Sequence, residues 1–179
     1  MPIVNVKGIE NCIIHHPELV NLYECEIGEG TKIGAFIEIG AGVTIGKRCK
    51  IESFAFIPPG IIIGDDVFVG PHACFCNTKH PMKGEKYLPT FVMNKVVIGA
   101  GAVILPNIVI GEGAVIGAGS VVVSDVKPDS VICGNPAKPI IHITYDCRYC
   151  RDLLGHYYCQ AREGGLFACK CEDYEQIVV

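Results

Sequence analysis

Tryptophan is absent from this chain, long apolar runs are absent, and charge is sparse. The missing tryptophan says little by itself. The lack of any run of about 18 apolar residues excludes a hydrophobic membrane-spanning helix. No charged stretch leading into an apolar one opens the chain, so no secretion signal is expected and a cytoplasmic location is. Fifteen basic residues stand against 19 acidic ones, a net charge of −4. A phosphate backbone attracts a basic surface, so nucleic acid is not expected as a partner. Charged residues are 19% of the 179, whereas half are apolar. That length suits one domain with a small appendage, and the spare apolar surface points to contact with other subunits.

What the chain does have is a repeat. Ile27, Ile33, Ile39, Ile45, Ile51, Ile57, Ile63, Val69 and Phe75 recur with a period of six. Gly28, Gly34, Gly40, Gly46, Gly64 and Gly70 follow most of them. Four places after the first eight come small or β-branched residues: Thr31, Ile37, Val43, Cys49, Ala55, Ile61, Val67 and Ala73. The frame returns at Ile98, Ile104, Ile110, Ile116 and Val122. A period of six is neither helical nor a simple strand alternation, and self-similarity at a fixed period marks a repeat architecture. Each unit reads as one short strand and a turn. Three units make one triangular coil, so stacking sets Ile27, Ile45 and Ile63 on one ladder. No unit buries its apolar face alone, and stability comes from neighbouring coils. A β-sandwich would not keep this register over nine units.

The frame stops after Phe75 and resumes at Ile98, a gap that is not a multiple of six. Residues 76–97 are therefore expected to form a loop thrown out of the solenoid, and such loops commonly carry function. His80 is its candidate general base, because an unperturbed imidazole has a pKa of about 6.5 and takes a proton near neutrality. Asn77 is the second catalytic candidate. His72, at a turn one unit before the loop, could touch substrate, pair with His80 or stand in solvent. Glu85 could orient His80 as a carboxylate does in a triad.

Cysteines number eleven. Cys25 and Cys49 fall on inward positions and read as small core residues. Without a secretion signal no disulfide framework is expected. After Pro139 the composition changes, and 144–179 holds Cys147-Arg-Tyr-Cys150 and Cys169-Lys-Cys171. Thiolates at such spacings can share one tetrahedral zinc ion. Cys147, Cys150, Cys169 and Cys171 are thus candidate ligands of a structural zinc. The second pair has one intervening residue, not two, and reduced thiols packing a terminal hairpin are the alternative.

The C-terminal coils carry the most specific motifs, Ile116-Gly-Ala-Gly-Ser-Val121 and Gly134-Asn-Pro-Ala-Lys138. With the repeat, they make residues 10–140 resemble the bacterial hexapeptide-repeat acyltransferases. The resemblance implies an all-β, left-handed parallel β-helix solenoid over 1–143, a small Cys-rich tail over 144–179, and a homotrimer with active sites between subunits. It implies acetyl-CoA as co-substrate. Ala100 and Ala118 are both small, occupy the same turn position and stand three units apart, so one should stack on the other and leave room for pantetheine. By resemblance Pro136 would flank the adenine and Lys138 would approach the phosphates. Val123-Ser124 stands where the family has Thr then Lys, which implies that a hydrogen bond for the adenine end is either lost or moved to Ser124.

Within the loop, Thr78-Lys79-His80-Pro81 resembles the Thr-x-His-Pro segment of sugar O-acetyltransferases, where the His is the general base. Phe75-Cys76-Asn77 with His80-Pro81, and onward through Tyr87, Thr90, Val92 and Gly99-Ala100, is similar to N-acetyltransferases of nucleotide-linked 3-amino sugars. There an Asn in the place of Asn77 contacts the reacting end of the substrate. Met82 and Met93 replace the Arg residues of acidic-sugar enzymes, implying a neutral or deoxy sugar. The expected activity is therefore acetyl transfer to the amine of a nucleotide-linked amino sugar. The alternatives are O-acetylation of a sugar or small molecule, a γ-carbonic-anhydrase-like protein, and a non-catalytic trimeric scaffold. The carbonic anhydrase reading needs three His around zinc, and the hexapeptide units and loop supply only His72 and His80.

Overall fold

In the computed structural model the hexapeptide becomes a strand of only two residues in most units, such as Lys32–Ile33 and Thr44–Ile45. The first residue faces outward and the second is buried. The structure describes residues 3–83 and 86–140, and the two short strands Arg162–Glu163 and Leu166–Phe167. The chain divides into two compact units, Met1–Ile140 and Ile141–Val179. In the second, the two short strands pair antiparallel.

The first unit is a parallel β-solenoid with three sheets. The first sheet has seven strands, from Ile3–Val4 to Val121–Val122. The second has five, from Glu26–Ile27 to Val109–Ile110. The third begins at Ile13–Ile14 and climbs to Val131–Gly134. The register matches the ladder expected from the period: Ile27 pairs with Ile45, and Ile45 with Ile63. The inward isoleucines at 27, 33, 39, 45, 51, 57 and 63 are at most 2% exposed. Burying each contributes about 1.5–3 kcal/mol, which offsets the cost of ordering such short strands. Glycine after the inward residue is required by the closeness of the coils. A Cβ built on Gly28 would lie 2.5 Å from the carbonyl carbon of Gly46, one coil away. Among the described residues there is no α-helix, and no helix is long and apolar enough to cross a membrane.

Beyond the first coil, where Ile14 pairs with Ile33 and Leu22 with Ile39 one residue off the regular spacing, two coils depart from the regular length. Ile63 pairs with Val92, whereas three regular units would bring it to position 81, so this coil is the long one. The frame therefore resumes at Val92 and not at Ile98, and the insertion is 76–89, shorter than the expected 76–97. Val92 is followed by Met93, without the glycine that marks other units, and the unit is hidden in the sequence. Asn94 repeats the contact that Asp65 makes one coil below: its Oδ1 accepts the Asp65 N–H at 2.9 Å, as Asp65 Oδ1 accepts the Lys47 N–H at 2.8 Å. At the top, Ile116 pairs with Ile132, where a regular coil would reach Gly134. The chain then doubles back, and Ala137–Pro139 runs antiparallel on Val131–Gly134, covering the end of the third sheet.

Candidate active site

Two corners flank the first sheet, and they carry different chemistry. The corner from the third sheet to the first is built from equivalent turns. Phe54 donates its N–H to Ala35 O, His72 to Ser53 O, Gly101 to Pro71 O and Gly119 to Ala100 O, at 2.8–3.1 Å. Ala118 therefore stacks on Ala100, and both are exposed. A Cβ built on Gly101 or Gly119 would meet nothing within 4 Å. The result is an open shelf two coils tall. Above it, Gly134 N–H donates to Ser120 Oγ at 3.1 Å, which brings the Asn135–Pro136 turn over the same corner. Lys138 follows, exposed, opposite Cys133 in the hairpin. Ala100, Ala118, Pro136 and Lys138 are thus brought together.

Below the shelf the same corner changes character. Phe36 and Phe54 stack with ring centroids 4.9 Å apart and planes at 14°. Phe54 and His72 stack at 4.7 Å and 2°. His72 does not pair with His80; it lies on the other side of the first sheet from the insertion. The phenylalanines were not singled out as candidates from the sequence. Their signal was present, since Phe36, Phe54 and His72 follow one another at intervals of three units.

The corner from the first sheet to the second carries the insertion. Asn77 fastens its base: Nδ2 donates to Pro59 O at 3.0 Å, and its own carbonyl accepts the Leu88 N–H at 2.9 Å. The candidate contact to substrate is thus also the clamp that closes the loop. His80 lies on the exposed outer part, ahead of the short turn Pro81–Lys83, and Lys83 N–H donates to its carbonyl at 3.0 Å. No described residue hydrogen-bonds its ring. Glu85, the suggested partner, lies outside the described residues. Ser124 is exposed on this corner too, beyond Val121–Val122. It is not brought to Ala100 and Ala118. About five extended residues, ~16 Å, separate the two corners of one chain.

Thr90 sits where the insertion rejoins the solenoid, fully buried, and its Oγ1 has no hydrogen-bond partner. The other buried hydroxyls are satisfied: Thr31 Oγ1 donates to Gly46 O at 2.8 Å, and Ser120 Oγ accepts Gly134 N–H. Burial and the neighbouring Cys76 push the Cys74 thiol up, so it stays protonated at neutral pH and is a poor nucleophile. Among the described residues no cluster of three or more His, Cys, Asp or Glu could hold a metal ion. Cys147, Cys150, Cys169 and Cys171 lie outside the described residues.

Comparison with known proteins gives the same architecture. The family described as bacterial transferase hexapeptide (six repeats) matches residues 24–59 and 89–124. Serine acetyltransferase of Synechococcus elongatus is 34% identical over 132 residues, covering 74% of this chain and 48% of its own. Galactoside O-acetyltransferase of Escherichia coli is 37% identical over 105 residues, 55% of this chain and 48% of its own. The chain spans about half the length of the curated relatives it matches. Among solved structures, a variant of perosamine N-acetyltransferase from Caulobacter crescentus, in complex with CoA and GDP-perosamine, superposes with a TM-score of 0.57. It shares 23% identity over 77% of this chain and 56% of its own, a likeness of fold.

Proposed function

From the premise that this chain is a hexapeptide-repeat protein, we propose that it transfers the acetyl group of acetyl-CoA to the amine of a nucleotide-linked amino sugar. The observation that carries this reading is the open Ala100–Ala118 shelf, ending under the Asn135–Pro136 turn with Lys138 beside it. A thin, amide-bearing pantetheine arm fits a wall of alanine and glycine, with nothing larger than a methyl group on it. Pro136 flanks the adenine, and Lys138 offers a point charge to the phosphates. The acceptor amine attacks the thioester carbonyl, a backbone N–H holds the oxyanion, and the CoA thiolate departs. His80 receives the ammonium proton, or the departing thiolate does. Asn77 meets the substrate and holds the loop in place.

The two halves of this site lie on different corners of one chain. A homotrimer, with the His80 loop of one chain over the shelf of the next, completes it. GDP-perosamine in the Caulobacter structure supports a nucleotide-linked acceptor. A second reading, O-acetylation, is favoured by Thr78-Lys79-His80-Pro81 and by the likeness to galactoside O-acetyltransferase. Incubation with acetyl-CoA and a panel of UDP- and dTDP-linked amino sugars, beside sugars that lack the amine, separates the two when fragmentation in the mass spectrometer places the acetyl group. A gain of one acetyl group on the amine supports the first reading. Acetylation of hydroxyl acceptors alone supports the second.

A further inference from the structure

Every corner of the solenoid has a residue with positive φ, and the corners differ in what they place there. Arg48, Asp66 and Lys95 occupy one corner, and Glu24 and Asn107 another, alongside glycines. The shelf corner alone holds rings: Phe36 at φ 57°, Phe54 at 66° and His72 at 59°. A bulky residue in this region is an outlier, and such outliers persist where something else requires them. Core packing is not that requirement, since Phe36 and Phe54 are 45% and 48% exposed. The stack places one ring per coil up to His72. Gly101 and Gly119 then occupy the next two equivalent positions, with open space where a Cβ would be. The upper face of the His72 ring is left without a ring above it, at the foot of the shelf.

We propose that this uncovered face of His72, over Gly101, is a stacking site for the planar base of the nucleotide-linked acceptor. The inference rests on the acetyltransferase reading and deepens it. A nucleobase is flat, and the ring spacing of 4.7–4.9 Å leaves room for one as the next step of the ladder. Stacking also tolerates any base, since every base has a π-face. The site lies next to the shelf, so the base there keeps its sugar in the neighbourhood of the thioester.

Isothermal titration of the full chain with UDP, dTDP and GDP, and separately with CoA, tests this. His72→Ala should weaken nucleoside diphosphate binding about 5- to 100-fold, and His72→Phe should restore it, because stacking and not proton transfer is at work. Gly101→Phe should abolish it by completing the ladder; the fold already accepts phenylalanine at two equivalent turns. CoA affinity should stay within about twofold of wild type in His72→Ala and His72→Phe, as expected for separate sites. Nucleoside diphosphate binding unchanged in His72→Ala and Gly101→Phe would overturn the inference alone. So would loss of CoA binding, with nucleotide binding kept, in Gly101→Phe: the slot would then belong to CoA. Dissociation of a trimer by Phe54→Ser, read by light scattering, would make the rings a subunit contact instead. Wild type that binds CoA and no nucleoside diphosphate would instead remove the nucleotide-linked acceptor itself.

Discussion

Cys25 lies inside the solenoid, 3% exposed, and burial pushes its thiol up to about 11. A raised folded-state pKa means that the folded chain favours the protonated thiol. That contribution is complete below about pH 9 and is lost as pH climbs to about 11. Two units correspond to about 2–3 kcal/mol. Urea midpoints at pH 8 and pH 10.5 should therefore differ less in Cys25→Ala than in wild type; an equal difference would contradict the assignment. Thr90 offers a second residue-scale test. Thr90→Val keeps the shape and removes an unpaired buried hydroxyl, so a gain of about 1 kcal/mol is expected in denaturant unfolding. The sequence marked Cys25 as core because its position in the period was plain. It could not show that Thr90 lacks a partner, since that depends on which carbonyls the adjoining coils present.

At the scale of elements, the hexapeptide turn and the insertion behave differently. Gly46→Ala would drive its Cβ to 2.5 Å from the Gly64 carbonyl carbon, backbone that cannot move aside alone. A loss of about 1–3 kcal/mol, or failure to fold, is expected in thermal melts. Loss of the His80 ring should leave the melt unchanged. If His80 is the base, His80→Ala should lower kcat/KM by about 10²–10⁴ and remove the acid limb of the pH profile. A small, pH-independent loss would give the proton to the thiolate instead. The strands were legible from their inward isoleucines. The return of the frame at Val92 was not, because Met93 stands where many other units carry the marking glycine. Asn77 was legible as a loop residue, but its clamp on Pro59 was not, since Pro59 is a neighbour only after one full coil.

For the molecule as a whole, the decisive feature is that loop and shelf stand on opposite edges of one sheet. With His80 as the base, a chain carrying His80→Ala and a chain carrying Ala118→Phe should each be nearly inactive alone. Co-expressed in equal amounts, random closed trimers would contain about a quarter of sites with both halves intact. Recovered activity near that level supports sites between subunits; none would place each site within one chain.

The solenoid, its ladders and the start of the insertion were fixed by local pattern alone. Each coil repeats the same short-range rule, an inward apolar residue and a turn that permits close approach, so a linear period maps directly onto space. The corner on which each residue falls was decided only in three dimensions. The long coil from Ile63 to Val92 and the short one from Ile116 to Ile132 each break the count. Ser124, placed by resemblance at the cofactor site with Ala118, stands across the first sheet from it. The aromatic stack, likewise, exists only because turns three units apart lie one above another.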